Sequence, residues 1–148
     1  MIILGNISKK VAYLKNKYHT CNPFSLANAL GILVIYEELG QIKGYYNKQL
    51  RMKQIHINNN LNELDSIFTC AHELGHALLH PNENTQFLMS HTYFSVDKLE
   101  MQANQFALEL LLAPDVSEMY SEYTMEQLSR FLELNNLITR EELKWPKN

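Results

Sequence analysis

Apolar residues recur at helical spacing in three long stretches of the chain, and a shorter β-branched stretch lies between the first and the second. Ile7, Val11, Leu14 and Tyr18 mark one face of a helix over about 7–19. Asn22-Pro23 is a helix start, an N-cap followed by proline at the first helical position, so a short helix is expected over 23–30, ended by Gly31. Ile32 to Tyr36 reads as a strand, and strands are expected again at about 42–47 and 53–58, joined as a small meander. Asn58-Asn59-Asn60 breaks that sheet. From about 62 to 79, Leu64, Ile67, Ala71, Leu74 and Leu78 form the apolar stripe of a further helix that Pro81 stops. Residues 81–96 show no periodicity and are long for a plain connection. Leu99, Ala103, Phe106 and Leu110 then mark a helix over 97–112, closed by Ala113-Pro114, and Met125 to Leu134 reads as another, with a short one at 139–143.

This order predicts an α+β fold, a small, mostly antiparallel sheet packed against helices. With 148 residues, 46% of them hydrophobic, the chain can bury one core, and a single domain over 1–148 is expected. Its motif-bearing core spans about 20–115 and a helical tail follows over 116–148. The longest apolar run, Leu30 to Tyr36, is far too short to span a membrane, and Met1 to Gly5 lacks the pattern of a signal peptide. A cytoplasmic location is the expectation. The net charge of −3 and the lack of a Lys/Arg cluster argue against direct nucleic-acid binding, since Lys9, Lys10, Lys15 and Lys17 fit a solvated helix face. Cys21 and Cys70 form no CxxC pair, and Cys70 points roughly 200° round its helix from His72, as a buried free thiol would.

The chemistry is concentrated in His72-Glu73-Leu74-Gly75-His76. Two histidines four residues apart on a helix project from one face, roughly 40° apart, so both imidazoles can hold one metal ion. The glutamate between them is placed to work on metal-bound water, the signature of a zinc-dependent hydrolase. The apolar stripe of the same helix is centred roughly 200–260° from His72. A structural core histidine would fall on that stripe, and these two do not.

A catalytic zinc takes three protein ligands and leaves one position open, so a third ligand must lie elsewhere. Glu100 is the best candidate, because Ala103, Asn104 and Ala107 on its face let two helix backbones approach closely. A rival role exists: Asp97-Lys98-Leu99-Glu100 also fits a capping box, with Glu100 serving only the helix start. His80, His91 and Glu109 are further candidates. His80 borders the metal side but lies roughly 12 Å along the helix axis from His72, which suits a supporting or entrance role. Glu109 is rotated by roughly 180° from Glu100 and faces away.

His72 to His80, reading HELGHALLH, followed by Glu100-Met101-Gln102-Ala103-Asn104-Gln105-Phe106-Ala107 and by Leu110 to Pro114, resembles the ImmA/IrrE family of metallopeptidases. These gluzincin-like enzymes carry HELGH on one helix and an E-x-x-A-N-x-F-A pattern on the next. The resemblance covers about 20–115 and implies that His72, His76 and Glu100 bind Zn2+ while Glu73 is the catalytic base. Ala113 stands where the family commonly has methionine. Some relatives carry a helix-turn-helix or sensor domain, for which this chain has no room.

In the implied mechanism Glu73 accepts a proton from water and returns it to the leaving amine. His56, His91 and Tyr93 are candidate oxyanion donors, and His80 and Asn104 candidate supports of the ligands. The substrate is expected as an extended peptide added to the sheet edge, for which 53–58 is the choice. By resemblance it would be a helix-turn-helix repressor of a prophage or mobile element. The alternative is a non-proteolytic, anti-repressor-like protein that binds its partner stoichiometrically on the same fold. A purely structural zinc fits poorly, since such sites use four protein ligands rich in cysteine.

Overall fold

The computed structural model describes residues 4–85 and 93–112. α1 (Leu4–Tyr18) buries Ile7, Val11 and Leu14 along one side and ends at His19, whose φ of 54° leaves the helical region. α2 (Pro23–Ala29) starts as its sequence requires: the Asn22 side-chain oxygen accepts the Phe24 and Ser25 amides at 2.9 and 3.3 Å, and Pro23 needs no partner there. Gly31, at φ +74°, turns the chain into β1 (Leu33–Glu37).

Three strands form one sheet: β1, β2 (Gly44–Gln49) and β3 (Met52–Asn58), in the order β1-β3-β2. β2 and β3 form an antiparallel hairpin, while β1 runs parallel to β3 with Val34 opposite Ile55. The α+β class stands, but the expected meander does not. The chain leaves β1 at Glu37 and crosses the C-terminal end of β3 before entering β2. Asn58 holds that crossing: its side-chain amide donates to Gly40 and Ile42 carbonyls at 2.9 and 3.0 Å, and its backbone amide donates to Lys43 at 2.9 Å. β3 therefore lies in the middle, and residues 53–58 cannot be the edge that receives a peptide. Among the described residues the edges are β1 and β2. Leu50 and Arg51 close the hairpin with φ of 51° and 70°, the mirror-image turn that matches strand twist.

One face of the sheet carries Tyr46, Ile55 and Ile57, all fully buried, and it packs on α3 (Glu63–Leu79) with Ile67, Phe68, Ala71 and Leu74. Gly44 allows this approach, because a Cβ there would stand 2.6 Å from both Thr69 Cγ2 and the His56 carbonyl oxygen. α3 begins at its N-cap Asn62, whose side chain accepts the Asp65 amide at 2.8 Å, with Glu63 and Asp65 in the positively polarised first turn. α4 (Tyr93–Leu111) lies against α3 and α1. It starts four residues before Asp97, so Glu100 sits well inside the helix and the capping-box role is excluded. The helices expected at 125–134 and 139–143, the end of the chain and His91 lie outside the described residues.

Candidate metal centre

His72 and His76 stand one turn apart on α3, both buried, with rings nearly perpendicular and Nε2 atoms 3.2 Å apart. Glu100 reaches across from α4 and straddles them, Oε2 at 2.8 Å from His72 Nε2 and Oε1 at 2.9 Å from His76 Nε2. The neighbouring turns make this possible: a Cβ on Gly75 would meet the Ala103 backbone at 3.2 Å, so any larger residue would hold the helices apart.

The remaining ring nitrogens have their own partners. Asn104, one turn beyond Glu100, accepts a hydrogen bond from His72 Nδ1 at 2.8 Å, which leaves His72 Nε2 to face the centre. His76 Nδ1 pairs with His80 Nδ1 at 3.2 Å, so the His76 Nε2 also faces inward. His80 is neutral over the physiological range: burial, reinforced by the nearby His76, pushes its pKa down to about 4. It can therefore serve as the acceptor.

Charge is arranged around the same point. Burial works to raise the Glu100 carboxyl, but hydrogen bonds and charge from His72 and His76 outweigh it and hold the group well below the usual carboxylate range. Burial also disfavours charge on His72, yet the Glu100 carboxylate opposite raises its proton affinity on balance. A carboxylate facing His72 and His76 in a buried place is an arrangement that could hold a cation. Glu73 is buried beside them, and its Oε1 has no hydrogen-bond partner among the described residues. Burial raises its pKa, a rise that the two histidines partly oppose. Ligating atoms of His72, Glu73 and His76 all lie within 4.8 Å of one another.

Other candidates separate clearly. His56 lies on the far face of the sheet from α3, where Glu37 and Asn47 hold its ring nitrogens at 2.6 and 2.9 Å and Tyr45 stacks on it at 4.2 Å. The alternation of strand side chains puts it there, next to the buried Ile55 and Ile57 on the helix-facing side, so it cannot serve this site. Glu109 turns to α1, accepting from Ser8 and Gln105. Tyr93 opens α4, and its side chain lies outside the described set. One residue that motif reasoning missed is Thr85, buried between the β2 edge and Glu73.

The model of the IrrE N-terminal-like domain, peptidase family M78, matches residues 27–134. The chain belongs to this family. Relatives of this M78 chain include a phage protein and a bacterial one. An uncharacterized immunity region protein 2 of Bacillus phage phi105 is 46% identical over 126 residues, covering 83% of this chain and 80% of that protein. Metallopeptidase ImmA of Bacillus subtilis strain 168 is 31% identical over 139 residues, covering 90% of this chain and 81% of that protein. The M78 match takes in the end of α2, the sheet, α3 and α4, the elements that bring the buried His-Glu-His group and Glu100 together. Among the described residues no helix is long and apolar enough to cross a membrane.

Proposed function

We propose that this M78-family chain is a zinc-dependent endopeptidase that cuts a helix-turn-helix repressor of a prophage or mobile element. His72, His76 and Glu100 would be the metal ligands and Glu73 the catalytic base. The convergence of two Nε2 atoms and one carboxylate carries this reading. Donors at the corners of a tetrahedral zinc site with bonds near 2.05 Å are about 3.3 Å apart. The Nε2 pair is 3.2 Å apart, and Glu100 meets each histidine within 2.9 Å. All three donors are nitrogen or oxygen, and no cysteine stands beside them, which suits a catalytic rather than a structural zinc.

Bound there, zinc supplies Lewis-acid polarisation of a peptide carbonyl and of water. The chain's own residues do the rest. Glu73, buried and with one oxygen that has no hydrogen-bond partner among the described residues, takes the proton from the attacking water and returns it to the leaving nitrogen. Its raised proton affinity suits both halves of that exchange. Asn104 and His80 keep the two imidazoles turned inward. A peptide would lie as an added strand along the outer edge of β2, the sheet edge next to Glu73.

The repressor as substrate is supported by the kind of relatives the chain has, a phage immunity region protein and ImmA. A repressor works in the cytoplasm, which would place the reaction there. The test is incubation of the zinc-loaded protein with helix-turn-helix proteins encoded near its gene, followed by mass spectrometry. Discrete fragments with the wild type and none with Glu73→Gln, at equal zinc content, are expected. An equal effect of both proteins on DNA binding by an uncut repressor would favour stoichiometric binding instead.

A further inference from the structure

Resting on the peptidase reading, we propose that Asn84 and Thr85 occupy the strand position that a substrate must take. Peptide access to the metal centre then requires exchange of these side chains for substrate backbone. Among the described residues β2 is an edge strand whose only strand partner is β3. In an antiparallel ladder alternate residues turn both N–H and C=O outward, and on β2 these include Tyr46 and Lys48. The outward groups are taken by the segment that follows α3. Thr85 Oγ1 accepts the Tyr46 amide at 2.8 Å and donates to the Tyr46 carbonyl at 3.2 Å. Asn84 Oδ1 accepts the Lys48 amide at 2.9 Å, and Asn82 accepts from Lys48 Nζ at 3.3 Å.

The paired donor and acceptor of one residue, then the amide two residues on, are the groups an incoming antiparallel strand would bind. Here two adjacent side chains imitate it. Thr85 is almost wholly buried and lies close enough to the Glu73 carboxyl to influence it, so the mimic sits level with the catalytic glutamate rather than at a remote part of the edge. The segment is hinged at one end, because the fully buried Tyr46 donates its hydroxyl to the Pro81 carbonyl at 2.6 Å. Exchange therefore moves residues 82–85 and leaves α3 in place. The entrant must be extended and carry free backbone groups, as an unstructured segment between two folded domains does. A helix has none to offer.

Two hydroxamates on the zinc-loaded protein, measured by titration calorimetry, test this. Acetohydroxamate caps the metal but is too small to reach β2, whereas a tetra-alanine hydroxamate can lie along the edge. Acetohydroxamate should bind the wild type and Asn84→Ala alike, and its affinity for each Thr85 variant is the reference against which that variant's peptide affinity is read. The peptide hydroxamate should bind Thr85→Val and Asn84→Ala roughly tenfold more tightly than the wild type, as expected when one to two net hydrogen bonds no longer compete, and Thr85→Ser like the wild type. Amide exchange at Tyr46 and Lys48 should quicken in the two tighter binders while Ile55 and Ile57 stay protected. Should Thr85→Val fail to fold, the exposed Asn84 decides through Asn84→Ala. Equal affinity of the peptide probe for all folded proteins overturns the proposal. Failure of acetohydroxamate to bind the zinc-loaded wild type would instead bring down the open metal site beneath it.

Discussion

Gly75 and Ala103 face each other at the crossing of α3 and α4, so closely that a Cβ on Gly75 would stand 3.2 Å from both the Cα and the carbonyl oxygen of Ala103. Gly75 lies between the two histidines, and Ala103 lies between Glu100 and Asn104. The same crossing therefore sets how far Glu100 must reach and places Asn104 behind His72. The cluster depends on the closeness of two backbones as much as on its own side chains.

Gly75→Ala should expose that dependence. Alanine gains up to about 1 kcal/mol in a helix interior, but the added methyl meets backbone that can yield only by moving α4, at a cost of roughly 1–3 kcal/mol. A net stability loss of about 1 kcal/mol in urea unfolding is expected, together with a fall in zinc affinity of about tenfold or more. An alanine variant that binds zinc as well as the wild type would show that Glu100 does not need this approach.

Asn104 is expected to matter through His72. Asn104→Leu removes the acceptor of the Nδ1 proton and should weaken zinc binding by roughly 10–100-fold, while Asn104→Asp keeps an acceptor and should restore most of it. Competition with a chelating dye measures both. Equal loss in the two variants would point to a packing role instead.

The acid side of the stability profile should report His80. Its folded pKa is lowered from 6.5 to about 4, so between those values the unfolded chain binds a proton that the folded chain does not. Stability then falls as pH drops from 6.5 towards 4 and levels off below. In zinc-stripped protein this amounts to about 2 kcal/mol between pH 7 and pH 5. His80→Gln should remove that part of the slope, as read by urea unfolding at the two pH values. An unchanged slope would mean that His80 titrates normally.

The described helices and the shared face of His72 and His76 were legible in the sequence for the same reason: both depend on contacts three or four residues apart. Asn22-Pro23 announced α2, and His72 with His76 announced a shared face. Glu100 was legible because Ala103 and Ala107 beside it betray a close helix crossing. Its capping alternative fell only when α4 proved to begin at Tyr93, ahead of any periodic signal. The strand order was not legible. A hairpin and a crossover have the same alternation, and the difference rests on Asn58, whose amide satisfies carbonyls 16 and 18 residues away. His56 was misplaced with it, since a histidine on a strand can face either way until the sheet's neighbours are known. Thr85 left no trace because it binds main-chain atoms of β2, which no side-chain pattern records.

X-ray absorption at the zinc edge tests the central claim most directly. The wild-type protein reconstituted with one equivalent of zinc should show a first shell of two imidazole nitrogens and carboxylate and water oxygens at about 2.0–2.1 Å. Glu100→Ala should lose an oxygen scatterer and bind far more weakly. A shell containing sulfur at about 2.3 Å, or a spectrum unchanged in Glu100→Ala, would contradict a centre built from His72, His76 and Glu100.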